Sequence, residues 1–203
     1  MSAKSVLTPL VLLGLVTACA SGPETYNPLD DYEQVNPATM LESPESVANT
    51  EFTAEQRERG KYMVTLLGCG SCHTNGALVG APRSDQLLAG SDWGIAYNNP
   101  LQVRNPGVVY PGNLTPDPET GIGDWSVAQI VAMLRSGMDN HGDQTLPVMP
   151  WPAYHEIVED DALAIAAYLK SLPAVSHEVP DNVPTGRRAR SPFVHFGVYQ
   201  SRQ

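Results

Sequence analysis

Cysteine is scarce in this chain of 203 residues: there are three, Cys19, Cys69 and Cys72. Cys19 lies at the end of an N-terminal apolar stretch, so a single pair is left. That is too few for a zinc site built on two cysteine pairs. Basic residues are few as well. Lys and Arg number 12 against 22 Asp and Glu, a formal net charge of -10, which argues against nucleic acid as a partner. Long apolar runs are missing: residues 6–16 are apolar but too short to span a bilayer as a helix. There is no internal repeat. Gly and Pro, at 17 and 18, are plentiful, so loops should occupy much of the chain.

The cysteine pair is the most informative feature present. It sits in Cys69-Gly70-Ser71-Cys72-His73, the attachment pattern of a c-type haem. Two thiols at this spacing can add to the two vinyl groups of one porphyrin. The His that follows can bind the iron through a ring nitrogen. A disulfide alone would leave the trailing His unexplained. A thioredoxin-like site would need a βαβ pattern, and here a helical pattern precedes the pair.

The ends read differently from the middle. Residues 1–18 have the form of an export leader, closing on Val16-Thr17-Ala18-Cys19. This resembles the bacterial lipoprotein signal, which implies cleavage before Cys19 and its lipidation. Ala20 after it favours the outer membrane, facing the periplasm. Residues 19–51 then form an acidic, Pro-rich stretch without Lys or Arg, expected as a tether with little to bury. The alternative is that Leu29, Tyr32 and Val35 dock on the domain. Residues 176–203 form a basic tail with Arg187, Arg188, Arg190 and Arg202 among Phe193, Phe196 and Tyr199. It is expected as a solvated end with local aromatic packing.

Residues 52–175 are expected to form one all-α domain of three main helices with long loops around one haem. Thr53 and Gln56 have capping-box spacing, predicting a helix to Leu67 with Tyr62, Met63, Leu66 and Leu67 on its apolar side. Ser126 and Gln129 repeat that spacing, predicting a helix to Ser136 stopped by Gly137. A third is predicted over residues 160–171, with Asp160 and Asp161 at its positive end and Pro173 beyond. Its Ala166 and Ala167 would let it cross the first helix closely. A helical turn is expected near residues 152–157, and a strand pair over residues 101–104 and 108–110.

The second axial ligand of the iron must come from far along the chain. Met149, in Pro147-Val148-Met149-Pro150-Trp151, is the best candidate, because flanking prolines fix where its thioether points. Met/His ligation suits electron transfer. His141 is the rival; Met133 and Met138 read as packing or turn residues, and His155, His177 and His195 lack ligand context. Trp93, Trp125, Trp151, Arg104 and Arg135 are candidate propionate donors. Asn113 could orient a loop or meet a propionate.

With these segments in place, the chain resembles a class I cytochrome c domain, in particular the haem domains of cytochrome subunits serving periplasmic alcohol and related dehydrogenases. The resemblance is carried by Cys69-Gly70-Ser71-Cys72-His73, Asn113-Leu114-Thr115-Pro116-Asp117, Gly121-Ile122-Gly123-Asp124-Trp125, Met149-Pro150-Trp151-Pro152-Ala153-Tyr154 and Ala166-Ala167-Tyr168-Leu169-Lys170. It implies one haem c bound through Cys69 and Cys72, with His73 and Met149 on the iron. It implies an electron-transfer protein rather than an enzyme, with a dehydrogenase and a terminal acceptor as partners. Those subunits often carry three haem domains; this chain has one attachment motif. The opposing expectation is a haem enzyme or ligand sensor with an open or displaceable sixth position.

Overall fold

The computed structural model describes residues 30–137 and 148–197. The expected leader, Cys19, Met138 and His141 lie outside them. No helix among the described residues is long and apolar enough to cross a membrane.

Helix α1, Ala54–Leu66, starts at the expected capping box. Thr53 accepts from the Gln56 N–H at 3.2 Å, and the Gln56 side chain accepts from the Thr53 N–H at 2.9 Å. Gly68, in the left-handed conformation with φ +69°, turns the chain into the short helix α2, Cys69–His73. The 3₁₀ turns Ala77–Val79 and Ser84–Gln86 follow. Strands β1, Gly94–Ala96, and β2, Val108–Val109, come next. Then come α3, Val127–Ser136, α4, Trp151–Tyr154, α5, Glu159–Lys170, and β3, Phe193–Val194. Helix α3 has the second capping box and ends on Gly137. Helix α5 carries Glu159, Asp160 and Asp161 in its first turn and Lys170 in its last, matching its dipole.

Helices α1 and α5 cross at the centre. A Cβ on Gly60 would lie 2.0 Å from the Ala164 carbonyl oxygen and 2.5 Å from the Tyr168 Cβ. The backbones meet because α1 has no side chain at Gly60 and α5 only a methyl group at Ala164. This rotates α1 away from the expected apolar face. Gly60, Met63 and Val64 are buried and Leu67 packs on the core, whereas Tyr62 and Leu66 are exposed. Met63, Val64, Ile130, Leu134, Tyr154, Ile165 and Tyr168 form the main core.

The all-α expectation needs amending. Order β2-β1-β3 makes a small sheet, antiparallel between β1 and β2 and parallel between β1 and β3. The predicted pairing of residues 101–104 is replaced by that of Gly94–Ala96 with Val108–Val109. Residues 99–103 instead turn, with the Leu101 N–H on the Asn99 side chain at 2.9 Å and the Gln102 and Val103 N–H groups on the Asn99 carbonyl. That Asx turn uses the donors a strand would need.

From residue 30 onward the expected tether lies against the domain. The Thr39 N–H meets the Ala77 carbonyl at 2.9 Å, and the Val47 N–H meets the Ser171 carbonyl at 2.7 Å. Asn49 donates to the Ser171 hydroxyl, and Tyr168 donates its hydroxyl to the Pro44 carbonyl at 2.6 Å. Tyr32 meets Phe193 edge to face. Hydrogen bonds to Ala77, Tyr168 and Ser171 hold this strap, together with the contacts of Tyr32 on Phe193 and Leu41 on Gly70. The tail also joins the body. Val183 and Val108 exchange backbone hydrogen bonds of 2.8 Å, and β3 extends the sheet. Segments before residue 52 and after residue 175 thus both bond to the body between them.

Candidate functional site

Helix α2 carries Cys69 and Cys72 three residues apart, so the two thiols share one side, with His73 one step further round. Both thiols are free of disulfide bonding and partly buried. Burial pushes Cys69 up to about 11, with Cys72 adding a smaller push, and burial also raises Cys72. They are therefore neutral near pH 7, with low general thiolate reactivity. Cys69 packs on the main core, while Cys72 packs on a second cluster formed by Leu78, Ile95 and Val194.

His73 is buried. Its Nδ1–H donates to the Gly112 carbonyl at 2.7 Å. A carbonyl only accepts, so this bond fixes the tautomer and leaves the Nε2 lone pair available. Burial lowers the pKa of the ring, against the opposing pull of Gly112, and so favours the neutral form a metal needs. The carbonyl of His73 is held as well, by the Gly90 N–H at 2.8 Å. Gly90 follows Leu88, which is buried at φ +58°, a conformation costing roughly 1–2 kcal/mol for a side chain of this kind. The Leu88 N–H on the Thr74 hydroxyl at 3.0 Å holds that turn.

Asn113 positions the Gly112 carbonyl. It is buried, donates to Thr120 Oγ1 at 3.0 Å and to the Val175 carbonyl at 2.8 Å, and accepts from the Thr115 N–H and hydroxyl. Of its two expected roles, loop orientation uses its hydrogen-bonding capacity. Gly112, Leu88 and Gly90 were not singled out from sequence. The proximity of Gly112 to Asn113 in Pro111-Gly112-Asn113 was the available signal for the first; a backbone contact from the other two leaves none.

Met149 packs, partly buried, on the same main core as Cys69, and its neighbour Val148 packs on the same second cluster as Cys72. Residues 148–149 and α2 therefore flank the same two apolar groups. The Trp151 N–H meets the Met149 carbonyl at 2.8 Å, opening α4. Trp151 also lies against Gly137, where a Cβ would approach its ring to 2.8 Å. Tyr154 of α4 is buried, and its hydroxyl is pushed well up by burial and then by the neighbouring Cys69 and Cys72.

The remaining candidates disperse. His155 is exposed, near the Arg135 carbonyl. His177 bonds the Ala89 carbonyl and Asp92, while burial lowers the pKa of His195. Met133 is a half-buried residue of α3. Trp125 packs on the main core. Trp93, Arg104 and His195 line a cleft of about 1230 Å³ between the strap and the tail. Arg135 Nε is buried without a hydrogen-bond partner among the described residues.

These residues fit a covalently attached haem. Two neutral, unpaired thiols lie at the right spacing, and a buried imidazole is locked through Nδ1 with Nε2 left over. A thioether packs against the same apolar groups. Nitrogen and thioether sulfur are a donor set that haem iron accepts.

No family model matches the chain. Among curated proteins, one of the subunits of nicotinate dehydrogenase from Pseudomonas putida is 34% identical over 131 residues, 64% of this chain and 10% of that protein. The fructose dehydrogenase cytochrome subunit of Gluconobacter japonicus is 35% identical over 111 residues, 55% of this chain and 20% of its own length. The cytochrome c subunit of quinone alcohol dehydrogenase from Gluconobacter oxydans is 34% identical over 112 residues, again 55% and 20%. The similarity supports a cytochrome c-like domain. This chain spans about a tenth to a fifth of the length of those relatives. Cytochrome subunits of dehydrogenase complexes are consistent with electron transfer rather than substrate turnover.

Proposed function

We propose that this chain is a periplasmic electron carrier with one haem c, held to a bacterial outer membrane through lipidated Cys19. It would pass single electrons from a dehydrogenase or respiratory donor to a downstream acceptor. The observation that carries the proposal is the Nδ1 lock of His73 on the Gly112 carbonyl, directly after a pair of unpaired thiols. The names of the relatives support a dehydrogenase as donor.

When bound, the haem supplies reversible one-electron chemistry. The chain's own residues set the conditions. Cys69 and Cys72 would hold the porphyrin by thioether bonds. His73 presents Nε2 at an angle fixed by Gly112 and Gly90. Met149 would supply a thioether donor to the iron, so that no open position is offered to water or a small ligand. Imidazole and thioether are both neutral donors, and the side chains around them are apolar.

The test combines mass spectrometry and spectra of the mature exported protein. One added haem mass and acylation at Cys19 are expected, with a low-spin ferric spectrum containing a Met–iron band and no carbon monoxide binding when reduced. A high-spin ferric spectrum with rapid carbon monoxide binding would instead assign an open site, as in a haem enzyme or ligand sensor. A colourless product would end the proposal.

A further inference from the structure

Three large apolar side chains stand exposed around the start of the cysteine-bearing helix. Tyr62 and Leu66, one turn apart on α1, are 55% and 60% exposed, and Met40 of the strap is 71% exposed. Met40 reaches α2 itself. The Ser71 hydroxyl, between the two cysteines, donates to its sulfur at 3.2 Å, and its methyl group lies over Gly68. Tyr62 and Leu66 also line an open cavity of about 390 Å³ with Glu42, Glu58, Lys61 and Thr65. The helix crossing at Gly60 puts these side chains outside, because it turns Met63 and Val64 inward. An apolar patch rimmed by charges marks an interaction site more often than a bare surface.

Carboxylates outnumber cations around its rim. Lys61 is the cation of the cavity; Glu45 contacts it directly, and Glu42 and Glu58 act on it through space. Arg59 lies over the Tyr62 ring and is already paired with Asp161 at 2.7 Å. Three carboxylates thus surround one neutralised ammonium, on a chain of net charge -10. An anionic bilayer would be repelled from such a face, whereas a basic protein surface would be drawn to it.

We infer that Met40, Tyr62 and Leu66 form the docking surface for a redox protein that presents an apolar centre ringed by lysines and arginines. This rests on the electron-transfer reading and gives it a place and a charge. Ser71 and Gly68 put the patch in contact with the segment bearing both thioether positions, so a partner seated there would sit beside the cofactor. Apolar contact with an acidic rim suits a small, short-lived interface that forms fast and releases fast.

The test uses the reduced holoprotein and two oxidants of opposite charge in stopped flow. Tris(phenanthroline)cobalt(III), apolar and cationic, imitates the inferred partner; ferricyanide is the anionic control. Leu66→Ala, and separately Glu42→Gln with Glu58→Gln, should slow the cobalt reaction about threefold or more at low salt. The acid-to-amide pair should also flatten its salt dependence. Ferricyanide oxidation should hold or rise, and the potential should not move, which separates lost docking from lost fold. Equal cobalt rates in all three proteins would overturn the inference. Binding of the wild type to phosphatidylethanolamine–phosphatidylglycerol vesicles, abolished by Leu66→Ala with cobalt rates unchanged, would overturn it in favour of a membrane face. Failure of both oxidants to react with the wild type would instead remove the electron-transfer reading beneath it.

Discussion

The His73 side of α2 and the Met149 side are built to different standards. On the first, the imidazole is gripped through Nδ1 by Gly112 and its backbone by Gly90. Gly112 stands next to Asn113, whose side chain reaches three other residues. On the second, a half-buried Met149 rests on apolar neighbours, and its carbonyl opens the single-turn helix α4. Hydrogen bonds fix direction, whereas apolar packing fixes only proximity. The difference teaches which side is preset by the chain and which is completed by the group it receives.

The largest effect should come from the attachment itself. Cys72→Ala would remove one of the two proposed thioether bonds, and the pyridine spectrum should shift to that of singly attached haem or vanish. An unchanged spectrum would exclude Cys72 from attachment. Next, Met149→Ala should lower the potential and admit carbon monoxide while leaving haem content intact, because the gripped side does not depend on it. Carbon monoxide titration and potentiometry together check this; an unaltered potential removes Met149 from the iron.

Asn113→Ala probes the gripped side. It leaves the buried Thr115 N–H without its partner and takes one bond each from the Thr120 hydroxyl and the Val175 carbonyl, which keep others, at a cost of about 1–3 kcal/mol measured by urea unfolding. It should also perturb the proximal ligand spectrum, which an equally destabilising change in the distant core would not. The smallest effect is away from both sides. Arg59 holds the Asp161 carboxyl below its usual pKa, chiefly by direct hydrogen bonding. A folded-state pKa set lower means that the native state binds fewer protons than the unfolded one. The contribution is then fully present above the ordinary value of 3.8 and is lost as pH falls below it through the lowered folded-state pKa. Arg59→Gln should cost a little stability at neutral pH, and the gap to wild type should close in acid unfolding below that point. Neither the spectrum nor the potential should respond.

Much of this fold could be read from the chain because it rests on local chemistry. Both capping boxes, the Gly137 stop and the acidic start of α5 are written in residues within one turn of each other. The pentapeptide at Cys69 is likewise local. The parts that escaped are those set by partners far away in sequence. The apolar face of α1 turned because Gly60 meets Ala164. Helix α5 is buried nearly all round because Pro44 and Val47 come back to cover Tyr168 and Ser171. The strap lacks apolar periodicity, and hydrogen bonds to Ala77, Tyr168 and Ser171 do much of its docking. Within the sheet, β2 falls in the expected 108–110, but its neighbours escaped for the same reason: β1 pairs with strands 14 and 99 residues away along the chain, at Ile95↔Val109 and Ile95↔Val194.

The bare contact at Gly60 also bears on speed. Where two helices meet main chain to main chain, no flexible side chain lies between them to be squeezed or to swivel. Helix α1 runs from that weld almost directly to Cys69. A haem held at Cys69 by so stiff a bracket would have little freedom to relax between its two charge states, and small relaxation would keep the activation barrier for electron hopping low.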